Sequence, residues 1–335
     1  MFFFFFFDDK EDDKDFRESF SKLLHNYEKL PIRWDGKDFY KDLEKRLQKY
    51  KESLERVSNI NLEKIDEINQ LILSAVEYYL NGMPSNAYNQ ISELITNYYN
   101  NLSVEDKDIT GYRIVSIDDN KLYDRKRVFH VPFSLREKIK TDRYSIPGYP
   151  CLYLADCFDG CLNEVGYNPA NNYIISKFKS DKKLKILDLS VSPNEINLSL
   201  TSNSPGEQLE YSCLNYMYSF PLMIACSYIR NKPDLPFAPE YIIPQLLLQC
   251  FHEGKLKTDG IRYLSCKTNI NKKFRNYVFL TEYNSEIQSD YCKKLSNVFS
   301  LTSPYYIKDC PDLSKLKVDI DSDSDYMHIE IWFLK

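Results

Sequence analysis

The chain has 335 residues, long enough for two domains of ordinary size, and 43% of them are hydrophobic. Its net charge of −5 gives no electrostatic footprint for nucleic acid, and no run of about 18 apolar residues suggests a membrane span. Nine cysteines, an odd number in a large chain, read as reduced thiols and not as a disulfide framework, so a cytoplasmic protein is expected.

The Phe2–Phe7 run is too short for a signal sequence and passes directly into Asp8, Asp9, Glu11, Asp12 and Asp13. A frayed or partner-covered terminus is expected there. Residues 16–100 read as helices. Phe39, Leu43, Leu47, Tyr50, Leu54 and Val57 recur at helical spacing. Leu62, Ile65, Ile68, Ile72, Val76, Tyr79 and Leu80 repeat the pattern, and Tyr88, Ile91, Leu94, Ile95 and Tyr98 form a third set. Breaks fall at Pro31 to Gly36, Ser58 to Asn61 and Gly82 to Ser85. The segment Asn101 to Thr110 is polar and acidic. The domains are therefore expected to be 1–105, a helical bundle, and 106–335.

Beyond it the texture changes to strands mixed with helices. Strands are predicted over Tyr112 to Ser116, Arg127 to Phe133, Cys151 to Ala155, Tyr173 to Phe178 and Leu184 to Leu189. Further strands are predicted over Gly260 to Cys266, Tyr277 to Thr281 and His328 to Phe333. One helix is predicted over Gln208 to Ser219, continuing past Pro221 with a kink toward Ile229. Another is predicted over Tyr241 to Phe251. Asp156 is the expected N-cap of the helix that carries Cys157, Cys161, Leu162, Glu164 and Val165. The fold class is α+β.

The stretch RYSIPGYPCLYLADCFDGCLNEVG, Arg143 to Gly166, concentrates the chemistry. It sets a cation, a tyrosine on a strand and a carboxylate on the next helix close together. A strand followed at once by a helix folds back on itself, so Arg143, Tyr153 and Glu164 could line one cleft. Cys151, Cys157 and Cys161 lack a CxxC pair or a neighbouring His, so they read as buried thiols and no metal is expected.

With YRIV at Tyr112 to Val115, this stretch resembles the core of the RES-domain family, named for an Arg, a Glu and a Ser. The later segments YIIPQLLLQ and DGIRYLSC fit the C-terminal half of that family. The resemblance covers roughly residues 110–280. The preceding helices resemble the HEPN-like domain often fused to RES domains. The resemblance implies a mixed sheet of ADP-ribosyltransferase type, split around a cleft. It also implies an NAD-degrading enzyme that acts as a toxin or anti-phage defence effector.

Carried over by motif, Arg113 matches the family's first arginine, Arg143 the arginine before the turn, Tyr153 the strand tyrosine and Glu164 the glutamate. Two departures stand out: Ile114 follows Arg113 where the family often has an aromatic, and YIIPQ lacks a serine. Ser265 is the remaining candidate. The roles implied are catalysis by Glu164, Arg113 and Ser265, and NAD binding by Arg113, Arg143, Tyr153 and Tyr144. Guanidinium groups suit the pyrophosphate, a tyrosine face suits nicotinamide, and a carboxylate suits the oxocarbenium-like ribose. NAD would be substrate, with no cofactor required.

The acceptor of the ADP-ribosyl group is left open among water, phosphate and a macromolecule; the last would make the chain an ADP-ribosyltransferase. Two readings from other classes stand beside it. One is a HEPN-type ribonuclease, for which Arg125 and His130 have the spacing but lie in the second domain, while His25 has only Arg17 upstream. The other is a non-catalytic interaction module, the reading to adopt if the three side chains do not converge. Expected partners are NAD, an antitoxin or regulatory protein, and a second copy of the chain.

Overall fold

The structure is a computed structural model. It describes residues 30–307 apart from 56, 58, 100–103, 119–121, 169, 192–194, 196–205, 268–272 and 284–288. The Phe2–Phe7 run, Arg17, His25 and the strand expected over His328–Phe333 lie outside the described residues.

Three helices open the chain: α1 (Phe39–Leu54), α2 (Leu62–Leu80) and α3 (Pro84–Leu94). The Asp38 carboxylate caps α1 by accepting from Lys41 N, and the Asn61 side chain caps α2 by accepting from Lys64 N. The apolar stripe of α1 is buried as its spacing predicts, at Phe39, Leu43, Leu47, Tyr50 and Leu54. α3 ends in a π-helical turn, Ile95–Tyr99.

Then come β1 (Val104–Lys107), β2 (Thr110–Ile117), α4 (Arg125–Val128), a 3-10 turn (Phe133–Lys138), β3 (Cys151–Ala155) and α5 (Phe158–Val165). They are followed by β4 (Asn172–Ser180), β5 (Leu184–Leu189), α6 (Gly206–Cys226), α7 (Ile242–His252), β6 (Gly260–Leu264), β7 (Arg275–Leu280), α8 (Lys293–Ser296), β8 (Phe299–Leu301) and β9 (Tyr305–Ile307). The sheet runs in the order β1-β5-β6-β7-β3-β2-β4-β8, with β9 also on β4. It is mixed: β5 and β6 are parallel, and the other pairs are antiparallel.

Three local expectations are corrected. Arg127 to Phe133 is not a strand: Asp124 caps a short helix there by accepting from Lys126 N, and Pro132 then leads into the 3-10 turn. The N-cap of α5 is Cys157, whose Sγ accepts from Gly160 N at 3.3 Å, and not Asp156. Asp156 instead accepts from Arg275 N and pairs with Arg262 at 3.5 Å. The polar segment before Thr110 supplies β1, which seats Val104 opposite Leu187 at the sheet edge.

One apolar core joins residues on both sides of position 105. Leu43, Leu47, Ile65, Ile72 and Ile91 of the first three helices pack with Met217, Phe220, Leu246 and Leu247 of α6 and α7. Cys151, Leu187, Ile261 and Val278 meet the same core from the sheet. A second cluster takes Leu152, Leu154 and Phe279, on the alternate residues of β3 and β7 and so on the other face, together with Ile174, Phe178 and Phe299 of β4 and β8.

Helix α6 contains Pro221 and still runs on to Cys226. A proline in a helix interior cannot donate to the carbonyl four residues back, here that of Met217. The Tyr50 hydroxyl of α1 donates to that carbonyl at 2.7 Å. The Tyr99 hydroxyl donates to the next one, Tyr218 O, also at 2.7 Å. Tyr50 thus replaces the donor that the proline lacks, and Tyr99 adds a second bond on the same turn.

Candidate functional site

The site forms where the sheet opens. β2 and β3 pair at a single position, Tyr112 opposite Ala155, and then part. Gly111 permits the approach there, since a Cβ on it would come within 2.9 Å of Leu154 Cβ and 3.1 Å of Ala155 O. Arg113, the next residue along β2, reaches across the gap, where its Nη1 donates to Tyr153 O at 3.3 Å.

Helix α5 returns over the opening and buries Phe158, Cys161 and Leu162 against β2 and β4. Gly166 ends it in the left-handed conformation, φ 66°, which only glycine adopts without strain. That stop leaves Glu164 in the last turn, facing the ends of β6 and β7.

A cavity of about 630 Å³ occupies the opening. Its size suits a drug- or cofactor-sized ligand. Arg113, Arg143, Tyr153 and Glu164 all line it. Glu164 Oε1 accepts from Asn276 Nδ2 at 2.8 Å and from the Ser265 hydroxyl. The Lys267 ammonium donates to the Glu164 carbonyl, where a cation suits a helix C-terminus. Ser265 therefore meets Glu164 directly, although it does not itself line the cavity.

Arg143 behaves differently from Arg113. It is 8% exposed, and its Nη1 donates to Cys226 O at 3.0 Å while Nη2 donates to Tyr228 O. It clamps the end of α6, and its guanidinium lies over the Tyr241 ring at 5.0 Å. Both of its terminal nitrogens are engaged by backbone. Tyr144 is fully buried with its ring 4.5 Å from that of Tyr263, and it does not line the cavity. Its carbonyl accepts from the Tyr153 hydroxyl, so it supports the tyrosine that does.

Arg113 has one hydrogen bond, and its Nε is buried without a partner. Burial lowers the pKa of its guanidinium. Burial likewise pushes the Tyr153 phenol well above its ordinary value and the Cys161 thiol up to about 12. Asp142, at the cavity wall, is raised by desolvation against the opposing pull of Arg113. Asn276, Asp142, Arg230, Tyr241, Tyr263 and Lys267 line the same space and were not anticipated from the sequence. Asn276 had a signal, a buried amide within the otherwise strand-forming RNYVFL.

The Arg125 and His130 pair serves the fold. The Arg125 Nε donates to Leu301 O at 3.0 Å. His130 lies 2.7 Å from Val131 O through Nδ1, and its Nε2 accepts from Cys292 N at 2.8 Å. Accepting at Nε2 requires a neutral ring, and burial lowers its pKa to about 4. Among the described residues no helix is long and apolar enough to cross a membrane, and every cysteine is a free thiol.

No family model matches the chain, and no solved structure does. A protein of Bacillus subtilis (strain 168) named "Putative toxin YopC" is 31% identical over 301 residues, which cover 82% of this chain and 67% of that one. With that identity spread over two thirds of the relative, the chain belongs to the family of YopC.

Proposed function

We propose that the cavity takes NAD and that the chain cleaves the nicotinamide–ribose bond, acting as a toxin. The observation that carries this is the convergence on one cavity of Arg113, with its unpartnered Nε, and Glu164, held by Asn276 and Ser265. The resemblance to RES domains supports the chemistry, and the name of the Bacillus relative supports the biological role.

In the step proposed, the bond between ribose C1′ and the nicotinamide nitrogen breaks. Its electron pair leaves with nicotinamide, which departs neutral and needs little acid catalysis. C1′ becomes oxocarbenium-like, and the Glu164 carboxylate stabilises it while holding ribose hydroxyls. An oxygen of water or phosphate then bonds to C1′, and with water a proton is released. Fixing Glu164 Oε1 with two donors keeps the carboxylate in place during the reaction, so no reorganisation is needed as charge develops. Ser265 and Asn276 are positioning residues in this reading. An antitoxin or regulatory protein and a second copy of the chain are the partners it calls for.

The test is to incubate purified protein with NAD, with and without phosphate, and identify the products. ADP-ribose marks hydrolysis, and its 1″-phosphate marks phosphorolysis. Label transferred to a macromolecule would replace both with ADP-ribosyl transfer. NAD left intact by a folded protein would overturn the proposal.

A further inference from the structure

We propose that Arg230, together with Arg113, forms the site for a pyrophosphate group, so that ligands of this cavity are recognised through a diphosphate and not as nucleosides. Arg230 follows α6 and lines the same cavity as Arg113. Its Nη2 donates to Leu235 O, while its Nε is buried without a partner, as is that of Arg113. Among the described residues these two arginine Nε groups of the cavity are the ones buried without an acceptor. A buried donor left unmade is unfavourable, so both sites favour an acceptor from a ligand.

Charge leads to the same group. Arg113, Arg143 and Arg230 line the cavity, and none forms an ion pair among the described residues. Arg143 and Arg230 both lie over the Tyr241 ring, at 5.0 and 5.4 Å, which brings two like charges to one aromatic. The cavity acids do not balance them: only Asp142 and Glu164 stand against Arg113, Arg143, Arg230 and Lys267 along its lining. A ligand carrying two negative charges would relieve that excess. Arg143 is a poor candidate, because its two terminal nitrogens hold Cys226 O and Tyr228 O. The guanidinium of Arg230 is the one beside it with a donor to give, and planar guanidinium groups suit phosphate oxygens.

The inference deepens the NAD reading by naming the part of the ligand that is recognised. It is tested by calorimetry on the full chain with inorganic pyrophosphate, ADP-ribose, adenosine and nicotinamide riboside. Wild type is expected to bind pyrophosphate and ADP-ribose, with affinity falling as salt rises. R230Q is expected to lose roughly 10- to 100-fold for both, with R230K intermediate, and neither wild type nor R230Q is expected to bind adenosine or nicotinamide riboside measurably. Thermal melting of each variant checks that it folds. Equal pyrophosphate binding by wild type and folded R230Q overturns the inference, as does no binding by wild type. Should pyrophosphate bind in this way while NAD is never consumed, the reaction proposed above fails and the anion site stands.

Discussion

Tyr50→Phe removes one oxygen atom from a buried contact 167 residues apart in sequence. Tyr50 is 3% exposed and Met217 fully buried, so water is poorly placed to replace the lost donor. Pro221 has already removed the helical donor to the same carbonyl. An unmade bond at a buried carbonyl costs about 1–3 kcal/mol, so the variant is expected to lose that much stability. Urea unfolding followed by circular dichroism gives the number, provided the transition keeps its slope. The stronger check is a cycle with Pro221→Ala. Alanine restores an N–H for Met217 O, so Tyr50→Phe should then cost less than about 0.5 kcal/mol, a coupling of about 1 kcal/mol or more. Equal losses in the two backgrounds would refute the idea that the tyrosine substitutes for the proline's missing donor.

Glu164→Gln keeps an oxygen for Ser265 and Asn276 but removes the charge, and NAD cleavage should fall by about two to three powers of ten; a folded variant at the wild-type rate would refute the mechanism. Asn276→Ala frees Glu164 Oε1 from one of its two donors, so turnover should drop about tenfold or more while ADP-ribose binding is retained. A loss of binding with turnover unchanged would refute the positioning role. His130 is lowered by burial from 6.5 to about 4, so the unfolded chain binds its proton first. Its contribution is present above pH 6.5 and is lost as pH falls toward 4. Between pH 7 and 5 that amounts to about 2 kcal/mol, and His130→Gln should flatten this part of the profile in denaturant melts.

Much of the fold was legible because it follows local periodicity. The α1 stripe and the strand at Cys151 to Ala155 needed no knowledge of distant residues. The segment around Val128 and Phe129 misled because valine and phenylalanine favour strands, whereas the Asp124 cap and Pro132 decide the outcome. Glu164 stood out as the carboxylate of a strand–helix unit, and Ser265 only through family likeness. The function of Arg143 was hidden, because the carbonyls it clamps lie 83 and 85 residues away. Arg230 was overlooked for a related reason: a lone arginine in a proline-rich loop carries no local sign of a shared cavity.

The sequence distances in the site also set an order in time. During synthesis Arg113, Tyr153 and Glu164 emerge early, but Ser265 and Asn276 follow Glu164 by 101 and 112 residues. The carbonyls that fix Arg143 come in between. No nascent chain that ends before Asn276 contains the assembled carboxylate. Premature termination or early proteolysis therefore yields fragments with an unfinished site, and on the proposed function these are harmless to the cell that makes them. On that reading the carboxylate is fixed only once the chain has been made through Asn276.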